Sequence, residues 1–139
     1  MSVKPAIIPG LRYQNAPRAI DFLCDAFGFE RQAVYPDPKA PSIIMHAQLV
    51  FQGNMIMLGS GIDSDFKRKS GIRNIAEAGG PTMSLYVTVD DVDAHAEHAR
   101  EAGADIFLEP RDQDYGGRGY SCRDLEGNVW SFGSYDPFA

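Results

Sequence analysis

The sequence is poor in cysteine, in positive charge and in long apolar runs, and each shortage excludes something. Its 2 cysteines, Cys24 and Cys122, lie far apart and form no C-x-x-C pair, which argues against a disulfide framework and for a reduced chain. Only 13 Lys+Arg stand against 19 Asp+Glu, a formal charge of -6 with a pI near 4.9, so phosphate backbones and anionic membrane surfaces are repelled rather than attracted. No apolar stretch approaches the roughly 18 residues that cross a bilayer. Met1-Ser2-Val3-Lys4-Pro5 does not read as a secretory signal. Together these predict a cytoplasmic protein that binds neither nucleic acid nor membrane.

The 139 residues are 44% hydrophobic and 11% aromatic, enough for one ordinary core or for two small ones that share an interface. The run 6–13 is β-favouring but interrupted by Pro9 and Gly10, which suits an irregular or edge strand. Asn15 is a fitting N-cap for a helix over 16–27, since Pro17 is tolerated in a first turn and Ile20, Leu23, Cys24 and Phe27 recur at i, i+3, i+4 and i+7. Gly28 ends it. Strand-like runs follow at 29–35, 42–51 and 55–58, so the first part reads βαβββ.

Residues 59–80 are polar, carry several glycines and show no sustained period, which predicts a connector longer than most loops. Strand alternation resumes with Ser84, Tyr86 and Thr88 between Met83, Leu85, Val87 and Val89. Asp90 or Asp91 then caps a helix whose Val92, His95, Ala96 and Ala99 make one face, closed by Gly103. Runs at 104–108, 119–123 and 129–135 complete a second βαβββ unit. A repeated unit of this kind signals that neither copy covers its apolar face alone. We therefore expect a first module over 1–59, a connector over 60–81 and a second module over 82–139, together forming one structural domain.

The residues Leu11-Arg12-Tyr13, Arg18-Ala19-Ile20-Asp21-Phe22-Leu23 and Phe27-Gly28-Phe29 in the first unit carry a family resemblance. So do Val87-Thr88-Val89-Asp90-Asp91-Val92, Ala102-Gly103-Ala104 and Arg123-Asp124-Leu125-Glu126-Gly127-Asn128-Val129-Trp130 in the second. The pattern resembles the vicinal oxygen chelate superfamily, which includes glyoxalase I, extradiol dioxygenases and the fosfomycin- and bleomycin-resistance proteins. The likeness covers nearly the whole chain, with Leu125 standing where proline is usual. It implies an α+β fold of two tandem βαβββ modules, their strands forming a curved mixed sheet around a central cavity, commonly in a homodimer. It also implies metal ligands at one inward position on four strands. Here those positions hold Ile8, Met57, Ser84 and Ser131, a set that supplies no imidazole, thiolate or carboxylate. No metal and no other cofactor is expected.

Period-two alternation places Met45, Ala47, Leu49 and Phe51 on one face of a strand, with Ile44, His46, Gln48 and Val50 on the other. If Met83, Leu85 and Val87 pack under the helix, Ser84, Tyr86 and Thr88 face inward. An apolar cavity with a few hydrogen-bonding groups is the expected result, and it suits a small, partly apolar ligand. The candidate ligand-binding set is His46, Gln48, Met57, Ser84, Tyr86, Arg118, Tyr120 and Ser131. Arg118 and Tyr120 enter because the resemblance puts the loop 114–120 at the cavity rim. That loop is glycine-rich but lacks the lysine and following helix of a phosphate loop.

His46 is the one catalytic candidate, as a general base or a fixed donor, and no carboxylate partner is evident for it. Cys24 reads as a core residue, Cys122 has no activating neighbour, and His95 and His98 have the spacing but not the shared face of a metal pair. Trp130 and Phe132 are expected to point toward the helix layer, opposite Ser131. Lys67-Arg68-Lys69, with Arg73 nearby, is the only basic cluster and is either a solvated connector or a mobile lid for anions. The leading expectation is binding without chemistry. The alternative is a lyase, isomerase or dioxygenase, either acid/base or with metal on a shifted ligand set. A third reading is a structural dimer whose cavity is filled by its own side chains.

Overall fold

The computed structural model describes residues 5–139; Met1-Ser2-Val3-Lys4, read above against a secretory signal, lie outside the described residues. Two βαβββ modules follow one another. The first consists of β1 (Gly10–Tyr13), α1 (Ala16–Phe27), β2 (Glu30–Asp37), β3 (Ala40–Phe51) and β4 (Asn54–Ser60), and its sheet runs β1-β4-β3-β2. After α2 (Asp65–Ser70) and α3 (Ile75–Ala78) come β5 (Ser84–Thr88), α4 (Val92–Glu101), β6 (Asp105–Asp112), β7 (Arg118–Arg123) and β8 (Val129–Gly133), ordered β5-β8-β7-β6. Each sheet is mixed: its first strand runs parallel to its last, and its other pairings are antiparallel. No described helix is long and apolar enough to cross a membrane.

The helix over 16–27 forms as its sequence dictates. The Asn15 side chain accepts from the Arg18 amide at 3.2 Å, and Gly28, at φ 90°, closes the last turn with its own N–H on Cys24 O. That bond makes an αL-type end, and Phe29 N–H reaches further back to Leu23 O at 3.3 Å. The strand expected over 6–13 begins only at Gly10, because Pro9 has no N–H to donate, although its carbonyl accepts from the Met57 amide at 2.9 Å. The connector is more ordered than its composition suggests. Ser64 caps α2, and Asn74 with Glu77 forms a reciprocal capping box on α3. Lys67 pairs with Glu77, Arg68 with Asp63 and Lys69 with Asp65, so this basic cluster is matched by carboxylates of its own segment.

The two modules meet through their helix sides. Phe27 at the end of α1 packs on Trp130 and Phe132 of β8, with ring centroids 5.2 and 4.7 Å away, and α1 touches α4. A buried carboxylate fastens the joint. Asp124 accepts from Tyr13 Oη at 2.7 Å and from Trp130 Nε1 at 3.1 Å, while its other oxygen accepts from the amides of Glu126 and Asn128. Burial, reinforced by the charge of Asp124, raises the Tyr13 phenol well above its usual value, so it stays a donor. From the same hairpin, the Glu126 carboxylate accepts from the amides of Gln14 and Asn15 at 2.7 and 2.9 Å, at the start of α1.

Two histidines of α4 fasten the other end of α1. His95 Nε2 donates to Phe27 O at 3.0 Å and His98 Nε2 to Asp25 O at 2.6 Å, serving carbonyls at the helix end that have no partner within the helix. With its proton on Nε2, His95 accepts through Nδ1 from Tyr120 Oη at 2.6 Å. Burial lowers the pKa of His95, opposed only in part by the Phe27 carbonyl. A group whose folded-state pKa is depressed stabilises the fold fully above its unfolded value, and that stability drains away as pH falls through the folded one. Urea midpoints should therefore drop as pH is lowered from about 6.5, and the drop should be shallower in His95→Phe. Parallel pH profiles for the two proteins would show that His95 does not titrate against folding.

Candidate functional site

Leu11, Tyr13, Ala47, Leu49, Ile56 and Leu58 of the first sheet, and Tyr120, Cys122, Trp130 and Phe132 of the second, are buried in the shared core. The alternating residues lie on the other, open face of each sheet. In the first sheet these are Arg12, His46, Gln48, Val50, Met55 and Met57, with Gln48 in register with Met57 and Val50 with Met55. In the second they are Ser84, Tyr86, Thr88, Ser121 and Ser131, with Tyr86 in register with Ser131 and Ser131 with Ser121.

His46 and Gln48 do come together: His46 Nε2 lies 2.9 Å from Gln48 Oε1, and Gln48 passes its amide donor to Gln32. The Tyr35 ring stacks on the His46 imidazole with centroids 6.2 Å apart. Ser131 and Ser121 share a hydrogen bond of 2.7 Å. Tyr86 lies across Gly133, where an added Cβ would sit 2.7 Å from its hydroxyl, and donates to Tyr135 O at 2.6 Å. Burial raises the Tyr86 pKa, which keeps it protonated and suits it to donating rather than to acting as a base. Gln32, Tyr35 and Ser121 were missed in the sequence. Ser121 was accessible to the same alternation that gave Ser131, whereas Gln32 falls at an irregularity between β2 and β3 where alternation fails.

Three expectations are corrected. Tyr120 is no rim residue: at 2% exposure it sits in the core between modules, because it shares a strand face with buried Cys122. Arg118 does not reach toward a ligand; its guanidinium pairs with Asp93 of α4 through bonds of 2.9 and 3.0 Å and also contacts Asp112. Ile44 and Met45 exchange faces, Ile44 being 5% exposed and Met45 53%. The β2–β3 ladder shifts register here, His46 facing Tyr35 and Ile44 facing Pro36 so that Met45 is the extra residue, and such a bulge inverts the alternation beyond it. The sheets close on one another by their helix sides, so His46, Gln48 and Met57 on one open face are not brought to Ser84, Tyr86 and Ser131 on the other.

Burial pushes the Cys122 thiol up to about 12 and raises that of Cys24, so neither offers a thiolate near neutrality.

Two βαβββ modules with open sheet faces define a scaffold of the vicinal oxygen chelate type. The family model of the glyoxalase/bleomycin resistance protein/dioxygenase superfamily matches residues 8–132, and the chain belongs to that superfamily. An uncharacterised protein of Mycobacterium bovis is 32% identical over 133 residues, spanning 96% of this chain and 85% of the relative. The crystal structure of TioX from Micromonospora sp. ML1 superposes with a TM-score of 0.71 at 30% identity, covering 93% of this chain and 94% of that one. A mutant of the fosfomycin resistance protein FosX from Listeria monocytogenes, complexed with Mn(II) and a dihydroxypropylphosphonic acid, shares the fold at a TM-score of 0.69 and 14% identity, over 99% of this chain and 97% of that one.

The donor set here does not fit the divalent metal that many such scaffolds hold. Ile8 offers hydrocarbon, Met57 a thioether, and Ser84 and Ser131 neutral hydroxyls, none of which supplies the imidazole or negative charge such an ion takes from protein. Among the described residues no three His, Cys, Asp or Glu side chains are grouped to hold an ion.

Proposed function

We infer that this protein binds a small, partly apolar molecule on the open faces of its sheets, as a cytoplasmic homodimer and without a metal at the four family positions. The donor set just described carries this reading: thioether, hydrocarbon and hydroxyl where ligands to an ion would stand. His46, Gln48, Tyr86 and Ser131 would orient the ligand by hydrogen bonds, and Met57 with the neighbouring apolar surface would supply most of the affinity. His46 is held by the Gln48 amide and stacked on a phenol ring, with no carboxylate partner among the described residues, an arrangement that suits a fixed donor or acceptor better than a general base. Tyr35, Met45, Met83 and Tyr86 are exposed large hydrophobics, and surface of that kind fits an interaction face. A second copy laid with its second sheet over the first sheet of its partner would bring His46, Gln48 and Met57 opposite Ser84, Tyr86 and Ser131.

Native mass spectrometry of protein purified without chelator tests this directly. The expected spectrum is a dimer free of divalent ions, carrying a small organic mass that His46→Ala releases about threefold to tenfold more readily. One tightly held divalent ion per subunit would overturn it in favour of a lyase, isomerase or dioxygenase with a shifted ligand set. A monomer carrying nothing, even after incubation with cell extract, would overturn it as well.

A further inference from the structure

The helix sides of the two sheets do not close completely. Between the β3–β4 hairpin and β5 lies a cleft of about 350 Å³ whose walls include Phe29, Phe51, Ile56, Leu85, Val87 and Trp130. That volume falls in the range of small-molecule sites. The cleft is distinct from the open faces. Leu85 and Val87 alternate along β5 with Ser84, Tyr86 and Thr88, and Trp130 turns away from Ser131, so the aromatic and aliphatic walls belong to the opposite side of the sheet. Among the described residues β5 is an edge strand, paired on one side only by β8, and four of its residues in a row, 85–88, line the cleft.

Polar groups gather at the mouth. Gln52 and Asn54 line it together with Asp136, whose Oδ1 accepts from the Phe138 amide at 2.8 Å, while Tyr86 and Thr88 border it from β5 with their side chains on the open face. Asp136 is the one carboxylate of the described lining, which holds no lysine, arginine or histidine. The chain around it is acidic, at -6. An apolar interior with one anionic group at its entrance selects a molecule with an apolar body and one cationic end. Aromatic walls add to this, because a ring lodged among Phe29, Phe51 and Trp130 gains edge and stacking contacts beyond its buried area.

We propose that this cleft is a second ligand site, separate from the open faces, for a small amphiphile made of an aromatic or aliphatic body and an amine head. The body fills the space between β5 and the β3–β4 hairpin, and the ammonium donates to Asp136 and to carbonyls on the outer edge of β5.

The test uses the full chain and three probes that share one stem: phenylbutylamine, phenylbutanol and phenylbutyrate. Trp130 is the chain's 1 tryptophan, and its indole N–H, held on Asp124, gives a single resolved signal in nitrogen–proton correlation spectra. The amine should shift that signal and the amides of Leu85 and Val87 saturably, with an affinity about threefold above the alcohol and the acid weakest. Asp136→Asn should erase the order among the three. Val87→Phe, which narrows the cleft, should abolish the shifts; Asp136 is exposed, so its variant keeps the test decisive if the narrowed protein does not fold. Shifts confined to His46, Ser84 and Ser131 would overturn the proposal, as would equal binding of all three probes or no saturable shift with any. A Trp130 signal that moves with protein concentration alone would assign the cleft to a second copy and equally overturn it.

Discussion

Replacing Asp124 by alanine should lower the unfolding free energy by about 3–5 kcal/mol, the cost of removing one partner from a buried charged network. The loss is large because the acceptors go while the donors stay. Tyr13 Oη and Trp130 Nε1 both end on Asp124, and without it each is a buried donor with no replacement. The effect should appear as a shifted urea midpoint with little change in slope. Asp124→Asn keeps one oxygen, enough for the Tyr13 and Trp130 donors that share Oδ2 or for the Glu126 and Asn128 amides on Oδ1 but not for both pairs, and should lose about half as much, and Tyr13→Phe about 1 kcal/mol. A cost below about 1 kcal/mol for the alanine variant would mean that the modules are joined chiefly by their apolar contacts.

Those contacts set the second large expectation. Phe27→Ala should cost about 3–5 kcal/mol, as for a fully enclosed aromatic ring. Phe27 is 1% exposed and lies within ring-contact distance of Phe22, Trp130 and Phe132, with His95 stacked at 6.4 Å. Its removal opens space on both sides of the module boundary, which neither sheet can fill without moving the other. Phe27→Leu should cost less than half as much. Because Asp124 bonds the indole that Phe27 packs upon, the double variant should depart from additivity by about 0.5 kcal/mol or more. Strict additivity would show that the carboxylate and the ring stabilise the joint independently.

The architecture was largely legible in the sequence, for physical reasons that can be named. A cap, a tolerated proline and a 3.6-residue period placed α1 at its observed bounds, and period two gave the faces of β5 and β8. The duplication of these signals gave the repeat. Period two failed at Ile44 and Met45, because the bulge there is set by the pairing of β3 with β2 opposite Pro36 and not by the run of residues itself. Arg118 and Tyr120 were assigned to a rim through the glycine-rich loop before them, although the alternation running back from Cys122 already pointed Tyr120 inward. The partners that hold them, Asp93 and His95, lie 25 residues away in the chain, and no local pattern encodes such a pairing. Nor does periodicity say which side of one sheet meets the other. That depends on Phe27, Trp130 and Phe132 fitting together, and it decides that the two candidate sets stand on separate faces.

The stretch from Asp124 to Trp130, through which the second module most resembles its superfamily, is occupied in fastening one half of the chain to the other. Its carboxylates face a tyrosine, an indole and the start of a helix rather than a ligand. Matching this stretch therefore reports that the scaffold can be assembled and carries no information about what the scaffold holds. The chemistry is written in other letters, at sheet positions such as 46, 57, 84 and 131, which can vary without disturbing the fastening. Descendants of one duplicated module can in this way keep the same frame while changing occupants, and a shared name for the frame is a poor guide to the occupant.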